Sequence, residues 1–117
     1  MPDLAYRIAQ CYIQIYQPEK SLQWVKKGLQ KGKDDERLML LKANLLYEFK
    51  RYQEAADAFE AVARKGKRPG PAWLMAGYAA WNAGDAEGSI SAFRHAATYP
   101  KQKKAAQKAL GQLDTES

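Results

Sequence analysis

The stretch Pro71–Pro100, PAWLMAGYAAWNAGDAEGSISAFRHAATYP, breaks in two at Gly84–Asp85. Before the break, apolar side chains recur at three- and four-residue steps, the pattern of an amphipathic helix. After it, Ser89, Phe93 and Ala96 keep the same step. A glycine followed by an aspartate supplies a helix stop and then a helix cap. The stretch therefore reads as two helices joined by a tight turn.

A shift of 34 residues finds the same pattern twice more. Ser89 shares a column with Ala55 and Ser21, Phe93 with Phe59 and Val25, and Ala96 with Val62 and Gly28. In the preceding halves Gly77, Ala43 and Ala9 form a column of small residues, and Ala80, Leu46 and Tyr12 an apolar one. First halves fall near 3–16, 36–49 and 70–83; second halves fall near 19–31, 52–64 and 86–98. Tyr16–Pro18 and Lys50–Arg51 are the joints that correspond to Gly84–Asp85. Pro18 suits a first helical turn, where its missing N–H costs nothing. Gly32 and Gly66, one period apart, are expected to end the second helices of their copies.

The small residues predict where paired helices approach most closely: Ala9 with Ser21, Ala43 with Ala55, and Gly77 with Ser89. Val25, Phe59 and Phe93, one turn further on, then fill the space between pairs. No pair buries its apolar face alone, so neighbouring pairs must stack. A last, lysine-rich segment over 101–113 places Ala105, Ala106, Ala109, Leu110 and Leu113 on one side.

Composition fits a folded chain, with 46% hydrophobic and 27% charged residues. A net charge of +6 is a moderate bias towards acidic partners and does not by itself diagnose nucleic-acid binding. Cys11, the lone cysteine, has no disulfide mate and no metal-ligand spacing. Its neighbours in AQCYI lead one to expect an inert, packed thiol. No apolar run approaches the roughly 18 residues of a membrane span. No leader is visible in MPDLAYRIAQ. The chain is read as a segment of a longer protein, and its compartment is left open.

Nothing in the residues assembles an active site. His95 is the lone histidine and is expected on the surface, outside the buried columns. Asp34, Asp35 and Glu36 precede a helix and are expected to complement its positive end rather than hold a metal. GKRPGPAW, from Gly66, lacks the spacing of a phosphate loop. No catalytic residue, cofactor or metal site is therefore expected.

The arrangement resembles the tetratricopeptide repeat, whose unit is 34 residues of helix–turn–helix. The third copy carries the resemblance best: Trp73, Gly77, Gly84, Asp85, Ser89, Phe93, Ala96 and Pro100 fall at or beside the family's positions. The second contributes Ala43, Leu46, Tyr52, Ala55 and Phe59, with Lys42 where leucine is usual. The first keeps Ile8, Ala9, Tyr12 and Ser21, with Ala5 where a large aromatic is common. The resemblance covers about residues 2–101. It implies an all-α, right-handed superhelical array of antiparallel helix pairs, about seven helices in all. Its repeats span about 2–35, 36–69 and 70–103. A capping helix follows over 101–113, with a disordered tail over 114–117.

In the resembled family the first helices line an inner groove that takes a peptide or helix. Carried over, the groove residues are Tyr6, Gln10 and Ile13; Leu40, Asn44 and Tyr47; and Leu74, Tyr78, Trp81 and Asn82. Gln14 and Glu48 flank them. Tyr47 and Trp81, one period apart, are the expected anchors. A clamp for a terminal carboxylate is not expected, because Tyr6, Pro71 and Met75 stand where its cations belong. The partner implied is an amphipathic helix or an extended apolar segment, held by a scaffold or adaptor. A chaperone-like module for a secreted or membrane-system component is the alternative. Self-association is left open, and membrane insertion is not expected. A nucleic-acid-binding repeat is suggested by charge alone. The last copy has the style of bacterial repeat proteins. Lys33, Lys67 and Lys101 also follow the period. They are read as helix-end and solubility features, with an acidic or phosphate partner as the sharper reading.

Overall fold

Proline, aspartate and glycine punctuate the chain where the sequence places its breaks. The computed structural model describes residues 2–116, with side chains as far as Leu113. The described residues form seven helices and no strand: α1 Pro2–Gln14, α2 Pro18–Lys31, α3 Glu36–Glu48, α4 Tyr52–Lys65, α5 Pro69–Asn82, α6 Ala86–Ala96 and α7 Pro100–Glu116. Pro18 and Pro69 open their helices. Asp35 caps α3, its carboxylate accepting from the Leu38 N–H at 3.2 Å. Asp85 caps α6 in the same way, accepting from the Gly88 N–H at 2.9 Å. Gly32 and Gly66 stand at the ends of α2 and α4, as expected.

The turn inside each pair is the same in all three copies. Tyr16, Lys50 and Gly84 adopt left-handed φ of 60°, 62° and 81°. Around each, two backbone bonds close the helix end. In the third copy the Gly84 N–H donates to Trp81 O at 3.0 Å and the Asp85 N–H to Ala80 O at 2.9 Å. This is the Schellman arrangement, which satisfies carbonyls a helix end would otherwise orphan. Only the third copy meets it with glycine.

Within a pair the helices close on the small columns. Ser21 Oγ donates to Ala9 O at 2.8 Å, and Ser89 Oγ to Gly77 O at 2.9 Å. Both serines are fully buried, so each hydroxyl found the acceptor its burial demands. Ala43 and Ala55 are equally buried in the second pair. At Gly77 an added Cβ would come within 2.6 Å of the Phe93 ring, which explains why the column is smallest there. Val25, Phe59 and Phe93 are fully buried, as the column predicts.

Stacked pairs give an elongated body of 45 × 25 × 21 Å. Contacts run between neighbours in the chain or next neighbours, and α4–α5 and α5–α6 are the most extensive. The α2–α3 junction is much thinner. The last helix docks on α6 and α5 through buried Ala106 and Ala109. It is drawn from Pro100 to Glu116, longer than the expected 101–113. The expected disordered tail at 114–117 falls outside the described side chains.

Cys11 corrects the sequence reading. The thiol is exposed rather than packed. Of its apolar neighbours Ala9 is buried against α2, while Ile13 and Ile15 are exposed as the thiol is.

Candidate partner-binding face

The residues projected onto the inner face sit on the three first helices: Tyr6, Gln10 and Ile13 on α1, Leu40, Asn44 and Tyr47 on α3, and Leu74, Tyr78, Trp81 and Asn82 on α5. Gln10, Asn44 and Asn82 are exposed, as are Ile13 at 37% and Leu40 at 40%. Tyr6, Tyr47, Leu74, Tyr78 and Trp81 are half-buried.

A side-chain hydrogen bond ties α5 to α3. Asn82 Nδ2 donates to the Tyr47 hydroxyl at 2.8 Å and to Tyr78 O at 3.0 Å. Tyr47 also stands edge-on to Tyr52 at 5.2 Å and to Phe59 at 6.5 Å. Tyr78 and Trp81 stand edge-on to Phe93, at 5.1 and 6.4 Å. Edge-to-face geometry of this kind is favourable beyond the area it buries. The expected anchors therefore also brace the phenylalanines that fill the pairs. Ile13 and Leu40 are the row's freer apolar side chains.

Arg37 was missed by sequence reasoning, although it lies one period after Asp3. Its guanidinium pairs with Asp3 of α1 and, at 3.3 Å, with Asp35. It also lies 4.9 Å from the centre of the Tyr6 ring. Its hydrogen bond and charge hold the Asp3 carboxyl below the usual carboxylate range. The cation at this end of the row is already neutralised.

The basic edge divides. Lys31, Arg64 and Lys65 occupy last helical turns, where cations are favoured. Lys65 pairs with Asp34 at 3.2 Å, and Glu36 accepts from the Lys67 backbone N–H at 3.0 Å. Lys101 and Lys103 do not fit the helix-end explanation, because they fall in the first turn of α7. Lys67, Arg68 and Lys101 border a cleft of about 620 Å³ beside Pro69, Tyr99 and Pro100. His95 is exposed, as expected, with its ring stacked on buried Trp73 at 4.1 Å. No helix among the described residues is long and apolar enough to cross a membrane.

Three helix pairs and a closing helix form an all-α helical-repeat array. The family model for the tetratricopeptide repeat matches residues 70–103, the third copy. A solved structure titled "MamA D159K mutant 1" superposes with a TM-score of 0.75 at 14% identity, over 98% of this chain and 71% of that one. At that identity the likeness is one of fold. Comparison with curated proteins finds no match.

Proposed function

We propose that the array is a protein-interaction module that holds an amphipathic helix or an extended apolar segment across α1, α3 and α5. The observation that carries this reading is the repeating column Ile13, Tyr47 and Trp81, joined to Leu40 and rimmed by exposed Gln10, Asn44 and Asn82. Apolar side chains framed by amides suit a partner with an apolar stripe and a polar back. The bond from Asn82 to Tyr47 fixes the floor before binding, which lowers the ordering cost of association. The role is one of scaffold or adaptor, without catalysis. Holding an aggregation-prone helix, as a chaperone does, would use the same face.

The test begins with recovery of the native partner by affinity capture, followed by titration against folded variants. Leu40→Ala and Ile13→Ala together should weaken binding about tenfold, which is about 1.4 kcal/mol. Melting curves should stay close to the parent, because both side chains are exposed. Charge reversal at Lys33, Lys67 and Lys101 should leave the affinity within about twofold at physiological salt. The opposite result, insensitive apolar variants and a weakened charge variant, would move the site to the basic edge.

A further inference from the structure

The cleft beside Pro69 and Tyr99 takes no part in the proposed partner face. Its walls come from residues 67–71, which lead into α5, and residues 99–102, which begin α7. Pro69, Pro71, Tyr99 and Pro100 line it with apolar surface, and Lys67, Arg68 and Lys101 border it. The two segments meet at Gly70, where an added Cβ would run into the Gln102 carboxamide. The prolines fix the backbone on both sides, so the cleft is shaped in advance.

Its charges are uncompensated. Among the described residues Lys67, Arg68 and Lys101 make no side-chain ion pair, and no carboxylate lines the walls. Glu36 accepts from the Lys67 backbone N–H rather than from its ammonium. From Ala61 to Leu113 the acidic residues are Asp85 and Glu87 alone, against nine lysines and arginines. Both acids stand at the start of α6, by the end of α5 that is remote from the cleft. Arg68 and Lys101 also occupy helix starts, as the N-cap residue of α5 and in the first turn of α7. The dipole favours an anion there, so helix stability does not account for a cation at either position.

We propose that this cleft binds an acidic segment of a second protein partner. One aromatic or aliphatic side chain enters between the prolines and Tyr99, and flanking carboxylates meet Lys67, Arg68 and Lys101. Unpaired cations around an apolar floor are complementary to that ligand in both charge and surface. A nucleic-acid backbone would satisfy the cations and leave the floor empty. The cleft, at about 620 Å³, is of a size to take a side chain and its neighbours.

Fluorescence anisotropy at physiological salt tests this on the chain as it stands. The probe is a dye-labelled peptide of glutamates and aspartates around one phenylalanine. It should bind with a Kd of about 10–100 μM, and a peptide with serine for the phenylalanine about fivefold more weakly. Arg68→Glu with Lys101→Glu should weaken binding about tenfold or more. The melting temperature should not fall, because the new carboxylates suit helix starts. If that variant melts early, Lys101→Gln alone carries the test, with a loss of about threefold. Lys20→Glu with Lys27→Glu, both exposed on α2, makes the same charge change elsewhere and should stay within about twofold of the parent. Four results overturn the proposal: no binding up to about 1 mM, equal loss in the two charge variants, equal binding of the serine peptide, or tighter binding of a dye-labelled single-stranded oligonucleotide. The variant Ile13→Ala, Leu40→Ala should bind the acidic peptide as the parent does, so the two readings fail separately.

Discussion

Three residues in one column, Tyr16, Lys50 and Gly84, make the same left-handed turn with different side chains. A residue with a Cβ is strained there by roughly 1–2 kcal/mol relative to glycine. Part of that is offset because glycine leaves the unfolded chain freer. Lys50→Gly should therefore stabilise the protein by about 0.5–1 kcal/mol, and Gly84→Ala should destabilise it by about 1 kcal/mol. Urea unfolding of the two variants beside the parent checks both signs; a destabilised Lys50→Gly would mean the lysine side chain contributes more than its backbone costs. Gly84 was legible in the sequence as a helix stop. Tyr16 and Lys50 were legible only as joints, because nothing in their side chains announces a left-handed backbone. Ser21 and Ser89 were read by size, and their hydroxyl bonds to Ala9 and Gly77 follow from burial rather than from spacing.

Helix ends were the most readable elements, since every break but that at residues 49–51 carries a proline, a capping aspartate or a glycine. Periodicity also told which side of each helix turns inward. It did not tell how deep a ring at the margin sits, so Tyr47 and Trp81 were read as free anchors when their rings also brace Phe59 and Phe93. Ion pairs between elements were equally hidden, as the bridge from Asp3 on α1 to Arg37 on α3 shows. That bridge sets a pH dependence whose sign is fixed. The Asp3 carboxyl titrates lower in the folded chain than in the unfolded one. Its contribution is thus complete above the unfolded value of about 3.9 and is lost as pH falls through the folded value. Arg37→Met should melt below the parent at neutral pH, and the gap should close as pH drops below about 4. Both groups are exposed, so the gap is expected to be small and to shrink with salt. A gap that widens in acid would contradict this assignment.

At the scale of the whole molecule the sequence yielded the period, the number of pairs and the order in which they stack. It did not yield the unequal junctions between them. The second and third pairs meet broadly through α4 and α5, while the first is held mainly through α2 and α3. Shallow clefts of about 460 and 250 Å³ run along that thinner junction, bordered by Lys26 and Phe49 in one and Lys42 and Met39 in the other. Lys42 occupies a column where Ile8 and Ala76 stand in the other copies, and its ammonium has to stay in water, which leaves the seam beside it open. In repeat arrays each unit is stabilised by its own contacts and those with its neighbours alone. The two junctions should consequently release at different thresholds. Stretched between its termini in an optical trap, the chain is expected to lengthen in two steps, with Pro2–Lys31 paying out first and the α3–α7 block yielding at higher force. A single cooperative rip would show that the junctions are matched. Two steps would make the protein a graded extensible tether, compliant at one end and stiff at the other.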